Sequence, residues 1–82
     1  MITKAQLKKL KDSNNHVTLE FDIPWNETSL ARLYDKLDAQ LEGGALVDIV
    51  SVEPLSFNSE TQSILVEIEI DISDMLEETE EV

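Results

Sequence analysis

Ile64-Leu65-Val66-Glu67-Ile68-Glu69-Ile70-Asp71-Ile72 alternates apolar and acidic side chains from Val66 onward, after the apolar Ile64 and Leu65. A period of two belongs to a β-strand with one face in a core and the other toward solvent. Ile64, Val66, Ile68, Ile70 and Ile72 form the inner face. Glu67, Glu69 and Asp71 form the outer one, behind Leu65. A second stretch repeats the pattern: in His16-Val17-Thr18-Leu19-Glu20-Phe21-Asp22-Ile23 the odd positions are apolar from Val17 to Ile23. Pro24 ends that strand, since proline cannot donate to a ladder.

Between the two strands the period changes. Leu30, Leu33, Leu37 and Leu41 recur at three and four residues, with Tyr34 alongside, which predicts an amphipathic helix over 28–42. Asn26 or Thr28 is its expected cap. Gly43-Gly44 is its expected stop. Asp35, Asp38 and Glu42 lie on a different stripe of that helix. Residues 3–11 predict a short first helix, because Thr3 and Gln6 have capping-box spacing and Leu7 and Leu10 share a face. Residues 45–52 predict a further strand, apolar on nearly both sides apart from Asp48 and Ser51, and 53–62 a loop.

The element order is therefore α-β-α-β-β, an α+β class. The expected architecture is a three-stranded mixed sheet, the first two strands parallel and the third, antiparallel, between them. One main helix packs on one face, leaving the other open. A single acidic domain is expected over 1–73, with 74–82 an acidic tail: one frayed helical turn or a disordered end.

Charge dominates the composition. Eighteen Asp and Glu stand against six Lys and Arg, a formal net charge of −12. Lys4, Lys8, Lys9 and Lys11 all fall in the first eleven residues, which hold no acid. The other 71 residues hold every acid and only Arg32 and Lys36. Such a field repels nucleic acid and anionic membranes and steers cationic partners inward. The chain carries no cysteine, no signal-peptide pattern and no membrane-length apolar run. A cytoplasmic location is expected.

Catalytic patterns are missing. His16 is the only histidine, at a strand start where an exposed, unemployed side chain is expected. No second His or Cys accompanies it to bind a transition metal. No phosphate loop, nucleophile elbow or calcium loop occurs. The reading is a non-enzyme without a cofactor.

Acidic side chains on an ordinary surface are interspersed with basic ones. Here they stand alone, on strands, where Asp and Glu are poor formers and like charges across a ladder destabilise. With the first and third strands adjacent, Glu20 and Asp22 lie near Glu67, Glu69 and Asp71. Same-face residues repeat at about 6.7 Å, from a rise of ~3.3 Å per residue. Alternate phosphates of one DNA strand advance about 6.8 Å.

In this character the chain resembles the DNA-mimic proteins of bacteriophages: small, cysteine-free, very acidic, with Glu and Asp alternating on strands and an acidic tail. Its size and composition are most similar to inhibitors of the histone-like protein HU. The resemblance implies a partner that is a basic DNA-binding protein, an action that blocks DNA binding, and a dimer. The binding acids expected from the residue pattern are Glu20, Asp22, Glu67, Glu69 and Asp71, with Asp35, Asp38 and Glu42 as a second row. Direct nucleic-acid binding is not expected. A homodimer is also expected from the small core, the run Leu46 to Val50 and the free strand edges. The alternative is an acidic adaptor that pairs through its open sheet face or a strand edge, with charge serving solubility.

Overall fold

A computed structural model describes residues 1–80. Helix α1 (Lys4–Leu10) is followed by β1 (His16–Pro24), α2 (Leu30–Gln40), β2 (Asp48–Asn58), β3 (Ser63–Asp71) and α3 (Ser73–Glu80). Single 3-10 turns precede α2, at Trp25–Glu27, and β2, at Gly44–Leu46. The class is α+β, and the sheet order is β1-β3-β2.

The most regular strand is thus the central one, as expected. β3 is antiparallel to both neighbours. β1 and β2 run in the same direction, but β3 separates them. The sheet therefore contains no parallel ladder, in contrast to the mixed sheet that the element order predicts.

The helices follow from their caps. In α1 the capping box forms as expected: the Gln6 backbone N–H donates to Thr3 Oγ1, and the Thr3 N–H donates to Gln6 Oε1 at 2.8 Å. Leu7 is buried, whereas Leu10 is exposed. Helix α2 is shorter than its leucine stripe implies. Ser29 caps it, and residues before Ser29 belong to the 3-10 turn and a short connection. Leu33, Leu37 and Leu41 enter the core, while Leu30 in the first turn stays exposed. Gly43 adopts the left-handed conformation, φ +76°, and a Cβ on Gly44 would overlap the Leu37 carbonyl. The glycine pair thus turns the chain and lets it return against α2.

The largest departure lies in β2. The strand spans 48–58 rather than 45–52, so the expected loop at 53–62 shrinks to a tight turn. Asn58 Oδ1 accepts the Glu60 N–H there, and Gln62 has φ +53°. Pro54 is tolerated because β2 is an edge strand. Register shifts at 49/51 and 54/56 leave Val50 and Leu55 as extra residues. Those bulges hide the period of two.

α3 is the second correction. The Leu76 N–H donates to the Ile72 carbonyl at 3.0 Å, and Met75 and Leu76 are core residues. The first turn of α3, through Met75 and Leu76, therefore packs into the domain instead of trailing from it. Two apolar side chains anchor α3 although its remaining positions, within Ser73–Glu80, are polar or acidic. Glu81 and Val82, the end of the expected tail, lie outside the described residues.

The core collects Leu7 from α1, Val17 and Ile23 from β1, Leu33 and Leu37 from α2, and Val66, Ile68, Ile70 and Ile72 from and after β3. Leu41, Val47, Met75 and Leu76 close it. No polar or charged residue is buried among the described residues. The opposite face of the sheet has no helix over it, and that face carries the acids.

Candidate functional site

Register fixes which open-face side chains stand abreast. Glu20 of β1 faces Glu67 of β3, and Glu67 faces Glu53 of β2. Three carboxylates therefore cross the sheet in one row, with directly opposed Cβ atoms ~5 Å apart. Thr18, Glu69 and Ser51 form the next row; His16, Asp71 and Asp48 the one beyond. On the other side Asp22, Leu65 and Ser56 continue the face.

Of the expected binding residues, Glu20, Asp22, Glu67, Glu69 and Asp71 come together on this surface. Asp35, Asp38 and Glu42 do not. They are exposed, but α2 packs on the other side of the sheet, so they cannot form a second row beside the strand acids. Two further acids join the face that the residue pattern does not reveal. The pattern puts Glu53 in a loop and gives Asp48 no face. The spacing of Asp48 from Ser51 and Glu53 is disturbed by the first bulge, which erases the alternation that would have revealed the face.

The acids are not equivalent. His16, in contrast to the exposed and unemployed side chain expected at a strand start, is half-buried and sits between two carboxylates. Its Nδ1 donates to Glu69 Oε2 at 2.7 Å, and its Nε2 lies 3.8 Å from Asp71 Oδ2. Ser51 Oγ donates to the other oxygen of Glu69 at 3.4 Å. Asp71 Oδ1 accepts the Ser73 N–H at 2.8 Å, at the start of α3. Glu69 and Asp71 thus spend much of their acceptor capacity inside the molecule. Glu20, Glu53 and Glu67 have no cation within ion-pair distance among the described residues. They, with Asp22 and Asp48, are the acids of this face free to meet a partner.

The Asp71 carboxyl is held below the usual range for aspartate by hydrogen bonds from the Ser73 side chain and backbone, aided by His16. Asp12 is lowered likewise, by the backbone N–H groups of His16 and Asn14, which donate to its Oδ1 at 2.9 and 2.8 Å. Both folded values lie below the unfolded one, so the stabilisation is complete above pH ~4 and lost as pH falls through the depressed value. The stability gap between the wild-type protein and Asp71→Ala is expected to be widest at neutral pH and to close below about pH 4. Thermal melts of both proteins from neutral to strongly acidic pH check this. A gap independent of pH would assign the effect to packing.

No group of His, Cys, Asp and Glu with metal-binding geometry occurs among the described residues, and no described helix is long and apolar enough to cross a membrane. Comparison of the chain with protein-family models, with curated proteins and with solved structures finds no match.

Proposed function

We propose that this protein is a DNA mimic that occupies the basic surface of a DNA-binding protein and so excludes DNA. One observation carries the reading. Glu20, Glu67 and Glu53 stand abreast in the middle of a rigid sheet face, with Asp22, Asp48, Glu69 and Asp71 around them and His16 as the only basic side chain in these rows. Holding like charges opposed costs stability. A surface that needed only to be soluble would intersperse both signs.

The sheet also supplies rigidity. The strands that carry these carboxylates are fixed ~4.8 Å apart, and same-face residues on one strand ~6.7 Å apart, without the backbone ordering entropy a flexible acidic segment loses on binding. The lysine-bearing α1 lies outside these rows, so its charges are not interleaved with the acids. A bacterial nucleoid-associated protein such as HU is the proposed target, in the cytoplasm. No catalysis, cofactor or direct contact with nucleic acid belongs to this function.

Displacement of a labelled duplex from purified HU, followed by fluorescence anisotropy at several salt concentrations, tests it. The acidic protein is expected to release the duplex, with a potency that falls steeply between about 50 and 200 mM salt, as for phosphate contacts. Failure to displace DNA from HU at low salt would remove HU as the target. Failure against a panel of basic DNA-binding proteins would remove mimicry altogether. An adaptor that pairs through the apolar part of β2 would instead associate with its partner regardless of salt.

A further inference from the structure

The outer edge of β1 is an unfilled side of the sheet. The Trp25 N–H donates to the Gln62 carbonyl at 3.0 Å, and the Ile72 N–H to the Asn15 carbonyl at 2.9 Å. Both pairs continue the β1–β3 register, which runs between them without a shift. Hydrogen-bonded and non-bonded pairs alternate in an antiparallel ladder. Val17, Leu19, Phe21 and Ile23 therefore spend their backbone groups on β3, and Thr18, Glu20 and Asp22 turn theirs outward. No strand lies on that side, and these outward groups have no hydrogen-bond partner among the described residues. His16 closes one end of the window: its N–H donates to Asp12 Oδ1 and its carbonyl accepts the Asp12 N–H, both at 2.9 Å. Pro24 closes the other.

We infer that this edge receives an extended segment of a partner protein as an added strand, with basic residues on one face of that segment and apolar residues on the other. The inference goes beyond the proposed function and does not rest on it, because it concerns main-chain groups at the edge and not the carboxylate rows. Each face of β1 specifies one face of the occupant. On the open face, Glu20 and Asp22 are exposed, with no cation within ion-pair distance among the described residues. A residue directly opposite either of them on an added strand has its Cβ ~5 Å away, and opposite charges so placed stabilise the ladder. On the core side, Leu19 and Phe21 are only half-buried, although Ile68 and Val66 beside them are buried. Apolar side chains on the added strand complete their burial. Where β1 ends, Ile23, Pro24 and Ala39 line a groove between the strand and α2. Glu27 and Asp35 balance Arg32 and Lys36 around it, so the groove is neutral and suits an apolar side chain.

Charge rejects a second copy at this edge. Antiparallel pairing of β1 with β1 about Glu20 sets Glu20 against Glu20, and a shift by two residues sets Glu20 against Asp22. Like charges directly opposed destabilise a ladder. The other edge of the sheet is closed to strands of any charge: β2 carries Pro54, which lacks an N–H, and two bulges, devices that block strand addition. From Val17 to Ile23 β1 has neither. Its acids are its only guard, and they admit a basic segment.

Titration of the full chain with a synthetic peptide of alternating lysine and valine, capped at both ends, tests the inference without HU or DNA, at about 150 mM salt to screen loose attraction. Amide hydrogen exchange gives the structural readout. In the free protein the N–H groups of Thr18, Glu20 and Asp22 are expected to exchange fast and those of Val17, Leu19, Phe21 and Ile23 slowly. Saturating peptide is expected to slow the first set at least about tenfold. A version of the peptide N-methylated along its backbone keeps the charge and loses the donors, and is expected to bind at least about tenfold more weakly. Thr18→Pro removes one outward N–H while leaving every charge and the β1–β3 ladder in place, and is expected to weaken the unmodified peptide at least about fivefold in a chain that keeps its circular dichroism spectrum. A peptide of alternating glutamate and valine is expected not to bind. No binding of the lysine peptide, equal affinity for its N-methylated version, unchanged exchange at Thr18, Glu20 and Asp22 in the complex, or equal binding of the glutamate peptide would each overturn the inference.

Discussion

Leu37→Ala is expected to lower the unfolding free energy by roughly 2–5 kcal/mol, enough to unfold much of the population at physiological temperature. Leu37 is fully buried, and its backbone carbonyl abuts Gly44. The returning chain is therefore held tightly there and cannot collapse into the space left by the side chain. Domains have about 5–15 kcal/mol in total, and small ones sit toward the lower end. Leu30→Ala is the control. It belongs to the same leucine stripe but is exposed, so its loss should stay below about 1 kcal/mol. Urea titrations followed by circular dichroism distinguish the two. Equal losses at both positions would mean that α2 is seated differently on the sheet.

The second large effect is on recognition. Glu53→Lys with Glu67→Lys reverses two of three carboxylates in the central row. Close charge pairs across a protein interface couple by about 1.5 kcal/mol or more each, so losing two weakens binding by at least about 100-fold. Both side chains point to the open face. The wild-type row has two repulsive contacts, one on each side of Glu67. After the double reversal, the lysine introduced at position 67 attracts Glu20 on one side and repels the lysine introduced at position 53 on the other. Stability is therefore expected to be unchanged or slightly higher. The anisotropy assay with HU and a thermal melt read the two quantities separately. Displacement of DNA by the doubly reversed protein at wild-type potency would dissociate the acid row from function. Glu69 is a poor choice for such a test, because its loss also releases His16.

The fold was legible where one period ran unbroken. Val17 to Ile23 and Val66 to Ile72 alternate without interruption, so β1, β3 and their faces follow from the residues alone. The leucines of α2 announce a helix, but spacing cannot say that Leu30 lies beyond the reach of the sheet. β2 resisted because Pro54 reads as a break and each bulge shifts the alternation by one residue. Only its pairing with β3 shows that the strand continues. α3 resisted for a different reason. Met75 and Leu76 are two apolar residues among acids, too few to form a periodic stripe, and their burial depends on the tertiary pocket that receives them. The acid face inherits these limits. Glu20 and Glu67 could be read from their strands, whereas Glu53 joins them only through register. The division of labour between free acids and those held by His16 and Ser73 is invisible in any one-dimensional pattern.

The position of β3 at the centre of the sheet bears on how the chain assembles. β2 and β3 are consecutive, so their hairpin forms locally, on the microsecond scale of such units. β1 reaches β3 only across a long closed loop, from Ile23 to Ile64 at its nearest registered core pair. That closure brings Glu20 against Glu67, so the entropic cost of ring formation and an electrostatic barrier fall at the same step. Docking of β1, with α2 behind it, is then the slow event in folding, and added salt accelerates it by screening the approach of one acidic strand to another.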